Sequence, residues 1–181
     1  GQNILRVSTP VLWYRKSLPV PHTAGAMERR GTPDIEIFNF VMIKPSHYDD
    51  DGYVIQWIRS SIPSNTLAIL YGLALDSARR HVLGSDVDIR LHAYDETNAR
   101  IKIDRISRLI RSASGRGLVA LVGVQSNQYP RAMDLARQFR DKGVQVCIGG
   151  FHVSGCLAML PTVPPDLQEA LDLGISLFAG E

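Results

Sequence analysis

The chain has few of the features that define disulfide-rich or membrane proteins. It holds only two cysteines, Cys147 and Cys156, which are too few for a disulfide framework and predict a reducing compartment. No apolar run reaches the length of roughly 18 residues that a membrane-spanning helix needs, and no signal peptide is recognisable. We therefore expect a cytoplasmic globular protein without a membrane span.

A strong charge of either sign is also absent. The formal net charge is only +2, which is too small to indicate a nucleic-acid partner. The basic excess lies in residues 1–34, which also contain four prolines that break regular structure. We predict that residues 1–34 are a solvated N-terminal arm, in which Val11–Tyr14 forms a short edge strand or packs on the surface. Residues 35–181 are then the folded domain.

The sequence signatures of several common enzymes are missing. There is no Gly-x4-Gly-Lys-Ser/Thr phosphate loop, no Gly-x-Gly-x-x-Gly after the first strand and no Gly-x-Ser-x-Gly elbow. Gln125 and Ser126 stand where a phospho-accepting aspartate would follow the third strand. The sequence therefore predicts no catalytic residue in this chain.

What the sequence does contain is a regular alternation of apolar strands and amphipathic helices. Nearly continuous apolar runs are typical of parallel strands that are covered on both faces, and the intervening helices carry glycines at their ends. The predicted strands are Ile35–Lys44, Val87–Ala93, Leu118–Val124, Val144–Ile148 and Ile175–Ala179. The predicted helices are Asn65–His81, Ile103–Ser114, Tyr129–Lys142 and a short one from Pro164 to Gly174. This pattern predicts an α/β, flavodoxin-like (Rossmann-like) sheet of five parallel strands in the order 2-1-3-4-5, with helices on both faces.

The most informative stretch is Val144–Gly155, a buried strand that ends in the pair Gly149-Gly150. Two residues without a Cβ let the backbone approach a bulky ligand closely. In open α/β sheets, ligands bind outside the carboxyl ends of the strands, which is where this pair falls. The sequence therefore predicts a ligand-binding α/β domain.

Four loops meet at that carboxyl edge: Pro45–Asp51, Gln125–Gln128, Gly149–Ser154 and Gly180-Glu181. His47 could ligate a metal or be a surface histidine, and Asp49–Asp51 could bind a hard cation or form a solvated turn. Ser126 and Asn127 could bind a polar ligand group or cap the third helix. His152 could contact a ligand or be satisfied by nearby backbone.

Residues 35–181 resemble the cobalamin-binding domain that precedes the catalytic barrel in B12-dependent radical SAM enzymes. The residues that carry the resemblance are the Gly-Gly-Phe-His run of Gly149–His152, the terminal Gly180-Glu181 and the Pro-led helix within Pro63–Leu75. The chain departs from the classical Asp-x-His-x-x-Gly cobalamin motif, because Pro45 and Asp50 occupy the Asp and Gly positions around His47.

The resemblance implies a module that binds base-off cobalamin and positions it for methyl transfer or other radical chemistry. Its cofactor-binding residues would be His47, Tyr48, Ser126, Asn127, Gly149, Gly150, His152, Ser154, Gly180 and Glu181. Its partner would be the radical SAM barrel of the same parent chain, because two cysteines cannot supply the three thiols of the [4Fe–4S] cluster that works with S-adenosylmethionine. We expect the chain to be an excised piece of that parent, without catalytic activity of its own. The alternatives are a cofactor-free interaction or scaffolding domain and, less favoured, a free-standing hydrolase.

Overall fold

The structure, a computed structural model, describes residues 35–57, 64–112 and 116–180, and the backbone of residues 3–6 and 12–15. Glu181 and the end of the predicted second helix lie outside this part of the chain. The strands are β1 (Asn3–Arg6), β2 (Leu12–Arg15), β3 (Glu36–Lys44), β4 (Val87–Asp95), β5 (Gly117–Leu121), β6 (Gln145–Gly149) and β7 (Ser176–Ala179). The helices are α1 (Asn65–Arg79), α2 (Ile103–Ser112), α3 (Tyr129–Asp141), α4 (Phe151–Met159) and α5 (Pro165–Asp172).

A single sheet with the strand order β1-β2-β7-β6-β5-β3-β4 forms the centre of the domain. Every pair from β7 to β4 is parallel. Numbered along the chain, these five strands have the order 2-1-3-4-5, so the predicted flavodoxin-like arrangement is confirmed. The strands form where the sequence is most continuously apolar, and the order brings their carboxyl ends to one edge.

Part of the N-terminal arm belongs to the same sheet. Strand β2 pairs antiparallel with β7 through the register Leu12↔Ala179, Trp13↔Phe178 and Tyr14↔Leu177, and β1 pairs antiparallel with β2. The segment predicted as an edge strand or surface segment is therefore an internal strand of the sheet. Strands of four residues carry too little periodicity for the sequence alone to decide this.

The helices cover the two faces of the sheet unequally. Helices α2 to α5 pack on one face and bury the main hydrophobic core together with residues such as Val41, Leu121 and Ile148. On the other face, α1 places Leu67, Leu70 and Ala74 against a small cluster centred on Met42 and Ala120. Helices therefore lie on both faces, as predicted, but the α1 face has much the smaller core.

Helix α4 was not predicted, because the glycine pair and the polar residues after it predicted a loop over Gly149–Ser154. Gly149 is the last residue of β6, and Phe151 begins the helix directly after Gly150. The segment Phe-His-Val-Ser-Gly-Cys lacks strong helix formers, and its cap residue makes no side-chain hydrogen bond. Tertiary packing decides the conformation instead, because Val153 is fully buried in the main core.

No helix in the described part of the chain combines the length and the apolar character needed to cross a bilayer.

Candidate functional site

An apolar groove opens on the α1 face of the sheet near its carboxyl edge. Its volume is about 470 Å³, within the range of about 300–1,000 Å³ that is usual for small-molecule sites. It follows β5 from Leu118 to Val122, which corresponds to roughly 13 Å along a strand. The lining side chains come from α1 and four neighbouring strands: Phe40, Thr66, Ile69, Leu70, Leu118, Ala120, Val122, Cys147 and Phe178.

The groove exists because α1 is the only described helix that packs on this face. None of the residues of α1 is fully buried, although the helix is rich in Leu, Ile and Ala. Ile69 and Leu73 are 63% and 61% exposed, and Ile69 forms one wall of the groove. Large exposed apolar residues that adjoin an apolar cleft indicate a binding surface.

The groove is uncharged. None of the described residues that line it carries a formal charge, and its polar side chains are the hydroxyl of Thr66 and the thiol of Cys147. Burial raises the pKa of the Cys147 thiol to about 12, so that the thiol stays neutral at physiological pH. Such a lining favours an apolar ligand group.

The glycine pair forms part of the groove, but its two members do different things. Gly150 has φ +140 and ψ −171, a conformation that is essentially restricted to glycine. A Cβ at Gly150 would lie 2.2 Å from the backbone nitrogen of Val124, because the β6–α4 turn packs on the chain after β5. A Cβ at Gly149 would lie 3.2 Å from Cβ of Phe178 in the groove wall. Gly150 therefore permits a close backbone contact with the chain after β5, whereas Gly149 permits β7 and the Phe178 side chain to pack closely beside β6.

His152 lies in the first turn of α4 and is held by side chains. Its Nδ1 is 3.2 Å from Ser126 Oγ, its Nε2 is 2.9 Å from Asp166 Oδ2, and its ring stacks on Tyr129 with centroids 4.3 Å apart. The predicted alternative of backbone satisfaction is wrong, because its ring nitrogens face side chains. Burial, and then the Asp166 carboxylate, raises the pKa of Tyr129, so its hydroxyl remains protonated. This hydrogen-bonded chain ties α4 and α5 to the loop after β5.

Ser126 and Asn127 are exposed at the carboxyl edge, where their side chains could reach a ligand. Neither caps α3, because Gln128 is the cap residue and makes no side-chain cap hydrogen bond, so the capping alternative is wrong. Gln128 instead donates from Nε2 to the carbonyl of Pro45, and its Oε1 accepts from the backbone of Gln125. This buried amide joins the loops after β3 and β5.

Ser154 and Gly180 meet where α4 passes the end of β7. Ser154 Oγ donates a hydrogen bond to the carbonyl of Gly180 and accepts one from the backbone N–H of Gly180, and each donor–acceptor distance is 3.3 Å. Gly180 also lines the groove, whereas Ser154 does not. Of the predicted cofactor-binding residues, the structure therefore places Gly149, Gly150 and Gly180 on the groove.

Tyr48 points away from the groove into a buried polar network. Its hydroxyl donates a hydrogen bond to Asp134 Oδ2 at an O···O distance of 2.5 Å, and it accepts one from Arg131 Nη1 at an N···O distance of 3.3 Å. Arg131 also binds Glu96, which is only 1% exposed, with its closest N···O distance at 2.6 Å. Burial lowers the pKa of Arg131, but the hydrogen bonds to Glu96 and Tyr48 outweigh it and raise the pKa overall. The pKa of Tyr48 is raised, chiefly by burial and then by its hydrogen bond to Asp134.

The same network fixes the loop after β3. The backbone N–H of Ser46 donates a hydrogen bond to Glu96 Oε2 at an N···O distance of 3.1 Å. The Ser46 hydroxyl donates a hydrogen bond to the carbonyl of Ile55. His47 is half-buried in this loop, and its carbonyl accepts from Ile55. Glu96, which directly follows β4, is therefore the buried centre of the network.

The acidic run after Tyr48 forms an exposed turn. Asp49 Oδ1 accepts hydrogen bonds from the backbone N–H groups of Asp51 and Tyr53 at 3.1 and 2.7 Å. Across the described part of the chain, no three or more His, Cys, Asp or Glu side chains come close enough together to hold a metal ion.

The groove residues on α1 and β7 were missed by sequence reasoning. Thr66, Ile69 and Phe178 come from segments that read as ordinary helix and strand. The available signal was the composition of α1, in which Ile69 and Leu73 extend the apolar surface beyond the stripe that packs on the sheet. A helix that is apolar around much of its circumference needs cover on more than one side.

No family model, curated protein or solved structure matches this chain.

Proposed function

We propose that this domain binds cobalamin and positions it for the radical SAM barrel of its parent protein. The observation that carries the proposal is the apolar groove beside Gly149-Gly150, open at the carboxyl edge where the order of the strands reverses. Gly149–His152 and Gly180, which carry the resemblance to cobalamin-binding domains, lie at the same carboxyl edge.

The residues present fit the lower base of base-off cobalamin. The groove extends along roughly 13 Å of strand, and its walls carry no charge that a neutral base would have to desolvate. Gly149 lies in the groove lining without a side chain of its own, and the paired backbone of β5 and β6 forms the floor. The tail would lie between α1 and the sheet, and the corrin would lie over the carboxyl edge.

The chain's own residues would bind and orient the cofactor. Ser126 and Asn127 are exposed beside the edge and could hydrogen-bond polar groups of the corrin, while Asp166 and Tyr129 hold His152 in place. The buried network around Glu96 would keep His47 and its loop in one position. When bound, cobalamin would supply methyl-transfer or radical chemistry, and the domain would supply position.

The proposal predicts that filling the groove weakens cobalamin binding. Ala120 is 4% exposed and faces the groove, so Ala120→Leu would occupy the space meant for the tail. Ala68→Leu makes the same change on an exposed position of α1 that does not line the groove. We expect Ala120→Leu to raise the Kd at least about tenfold and Ala68→Leu to leave it unchanged, measured by titration with hydroxocobalamin.

The spectrum of the bound cofactor adds a second readout. The lower base cannot occupy the groove and coordinate cobalt together, so bound cobalamin should be base-off. The Co(II) form should lack nitrogen hyperfine structure from a histidine in its EPR spectrum, because the neighbours that would position His47 as a ligand are absent. Absence of binding by the folded wild-type chain, or equal Kd values for both leucine variants, would contradict the proposal.

A cofactor-free interaction domain is the second candidate, favoured by the exposure of Ile69 and Leu73 on α1. In that case the groove would receive apolar side chains of a protein partner. The hydroxocobalamin titration separates the two candidates, because only the first requires a corrinoid to bind.

A further inference from the structure

The chemistry of the groove points to a choice among corrinoids. We infer that it selects cobamides whose lower base is an apolar benzimidazole over those whose lower base is a purine such as adenine. The inference rests on the proposed function and names the class of ligand that the same site would take.

The side chains of the groove offer a purine few hydrogen-bonding partners. Phe40, Leu118, Ala120 and Phe178 present only carbon, and the neutral thiol of Cys147 is a weak donor. The hydroxyl of Thr66 is the remaining polar side-chain group among the described lining residues, and it comes from exposed α1.

The backbone groups of the groove floor already take part in hydrogen bonds within the protein. Ala120 and Cys147 are register partners in the β5–β6 ladder, and Cys147 and Ser176 are partners in the β6–β7 ladder. At the upper end, the N–H of Val122 donates to Ile43 and the N–H of Val124 donates to Gly149. The floor therefore offers a purine little beyond carbon surface.

The two kinds of base differ in what they lose on entering such a groove. Adenine carries an exocyclic amine and additional ring nitrogens, which would give up hydrogen bonds to water without replacement. Leaving buried polar groups unpaired weakens binding by about 10- to 100-fold. A dimethylbenzimidazole buries carbon and methyl groups instead, which favours binding. Selectivity would thus come mainly from rejection of the purine.

The experiment compares three corrinoids on the same folded chain: cobalamin, the adenine-base cobamide and cobinamide, which lacks the nucleotide tail. Equilibrium dialysis gives each Kd without reference to enzymatic activity. We expect cobalamin to bind at least about tenfold more tightly than the adenine form, and cobinamide to bind more weakly than cobalamin.

The chain offers a matched pair of variants. Cys147→Ser places a hydroxyl in the groove floor and should reduce the preference for cobalamin over the adenine form by about threefold or more, because the purine gains a partner. Cys156→Ser makes the same change outside the groove lining and should leave the preference unchanged.

The outcomes distinguish failure of the proposed base selectivity from failure of the proposed cobalamin binding. Equal Kd values for cobalamin and the adenine cobamide on the wild-type chain would overturn the selectivity and leave cobalamin binding standing. Failure of all three corrinoids to bind would overturn both. The wild-type ratio decides the matter even if Cys147→Ser does not fold.

Discussion

At the scale of single residues, two glycines in α4 and the turn before it show how differently the same residue can be used. Gly150 occupies a backbone conformation that other residues avoid, and its missing side chain makes room for Val124. Gly155 lies within α4, and a Cβ there would meet no atom within 4 Å. The first is required by the fold, and the second lowers the intrinsic stability of its helix.

We expect Gly150→Ala to destabilise the domain by about 3 kcal/mol or more, because it adds backbone strain to a backbone clash. Gly155→Ala should stabilise it by about 0.5–1 kcal/mol, since alanine is the better helix former. Urea denaturation followed by circular dichroism would measure both. A Gly150→Ala variant as stable as the wild type would refute the tight packing of the β6–α4 turn on Val124.

At the scale of elements, the loops on the carboxyl edge are fixed by polar side chains that reach between them. Glu96 follows β4, Arg131 lies on α3, and Ser46 follows β3, so one carboxylate joins three elements. Gln128 and His152 make comparable connections elsewhere on the edge. Such connections let these loops keep one geometry without a large core beneath them.

This arrangement predicts unequal costs for two similar substitutions on α3. Arg131→Met leaves the buried carboxylate of Glu96 unpaired and should cost about 3–5 kcal/mol. Arg137→Met removes two partly exposed ion pairs, with Asp134 and Glu169, and should cost only about 1 kcal/mol because both pairs are screened by solvent. Denaturant midpoints of the two variants provide the measurement, and similar values would show that the Glu96 network does not hold the loops.

At the scale of the whole molecule, the sheet continues beyond the five parallel strands. Strand β2 covers the edge of β7, which otherwise would present unpaired backbone groups next to the groove. Among the residues whose side chains the structure describes, 35–57, 64–112 and 116–180, both hydrophobic clusters are built from the parallel strands, the segments that connect them and the helices that cover them.

Removal of residues 1–15 should leave a folded domain that is less stable by about 0.6–3 kcal/mol, from three register pairs at about 0.2–1 kcal/mol each. The exposed β7 edge should also promote self-association, detectable by light scattering. Removal of residues 1–6 alone keeps β2 on β7 and should cost less. Complete loss of the circular dichroism signal in the longer deletion would contradict an independent parallel core.

The sequence by itself determined the alternation of strands and helices and the order of the parallel strands. Those features depend on apolar runs and turn residues that are local in the chain, and on general rules of α/β connection. It also located Gly149 and Gly150 at the carboxyl edge of the sheet. It did not reveal α4, whose composition disfavours a helix until Val153 meets the core.

Only the tertiary structure decided what the side chains at that edge do. His152 meets Ser126 and Asp166, which lie 26 and 14 residues away, and Glu96 meets Arg131 over a separation of 35 residues. The groove likewise combines α1 with β3, β5, β6 and β7. Contacts between distant segments depend on how whole elements pack, and residue types along a single chain do not specify that packing.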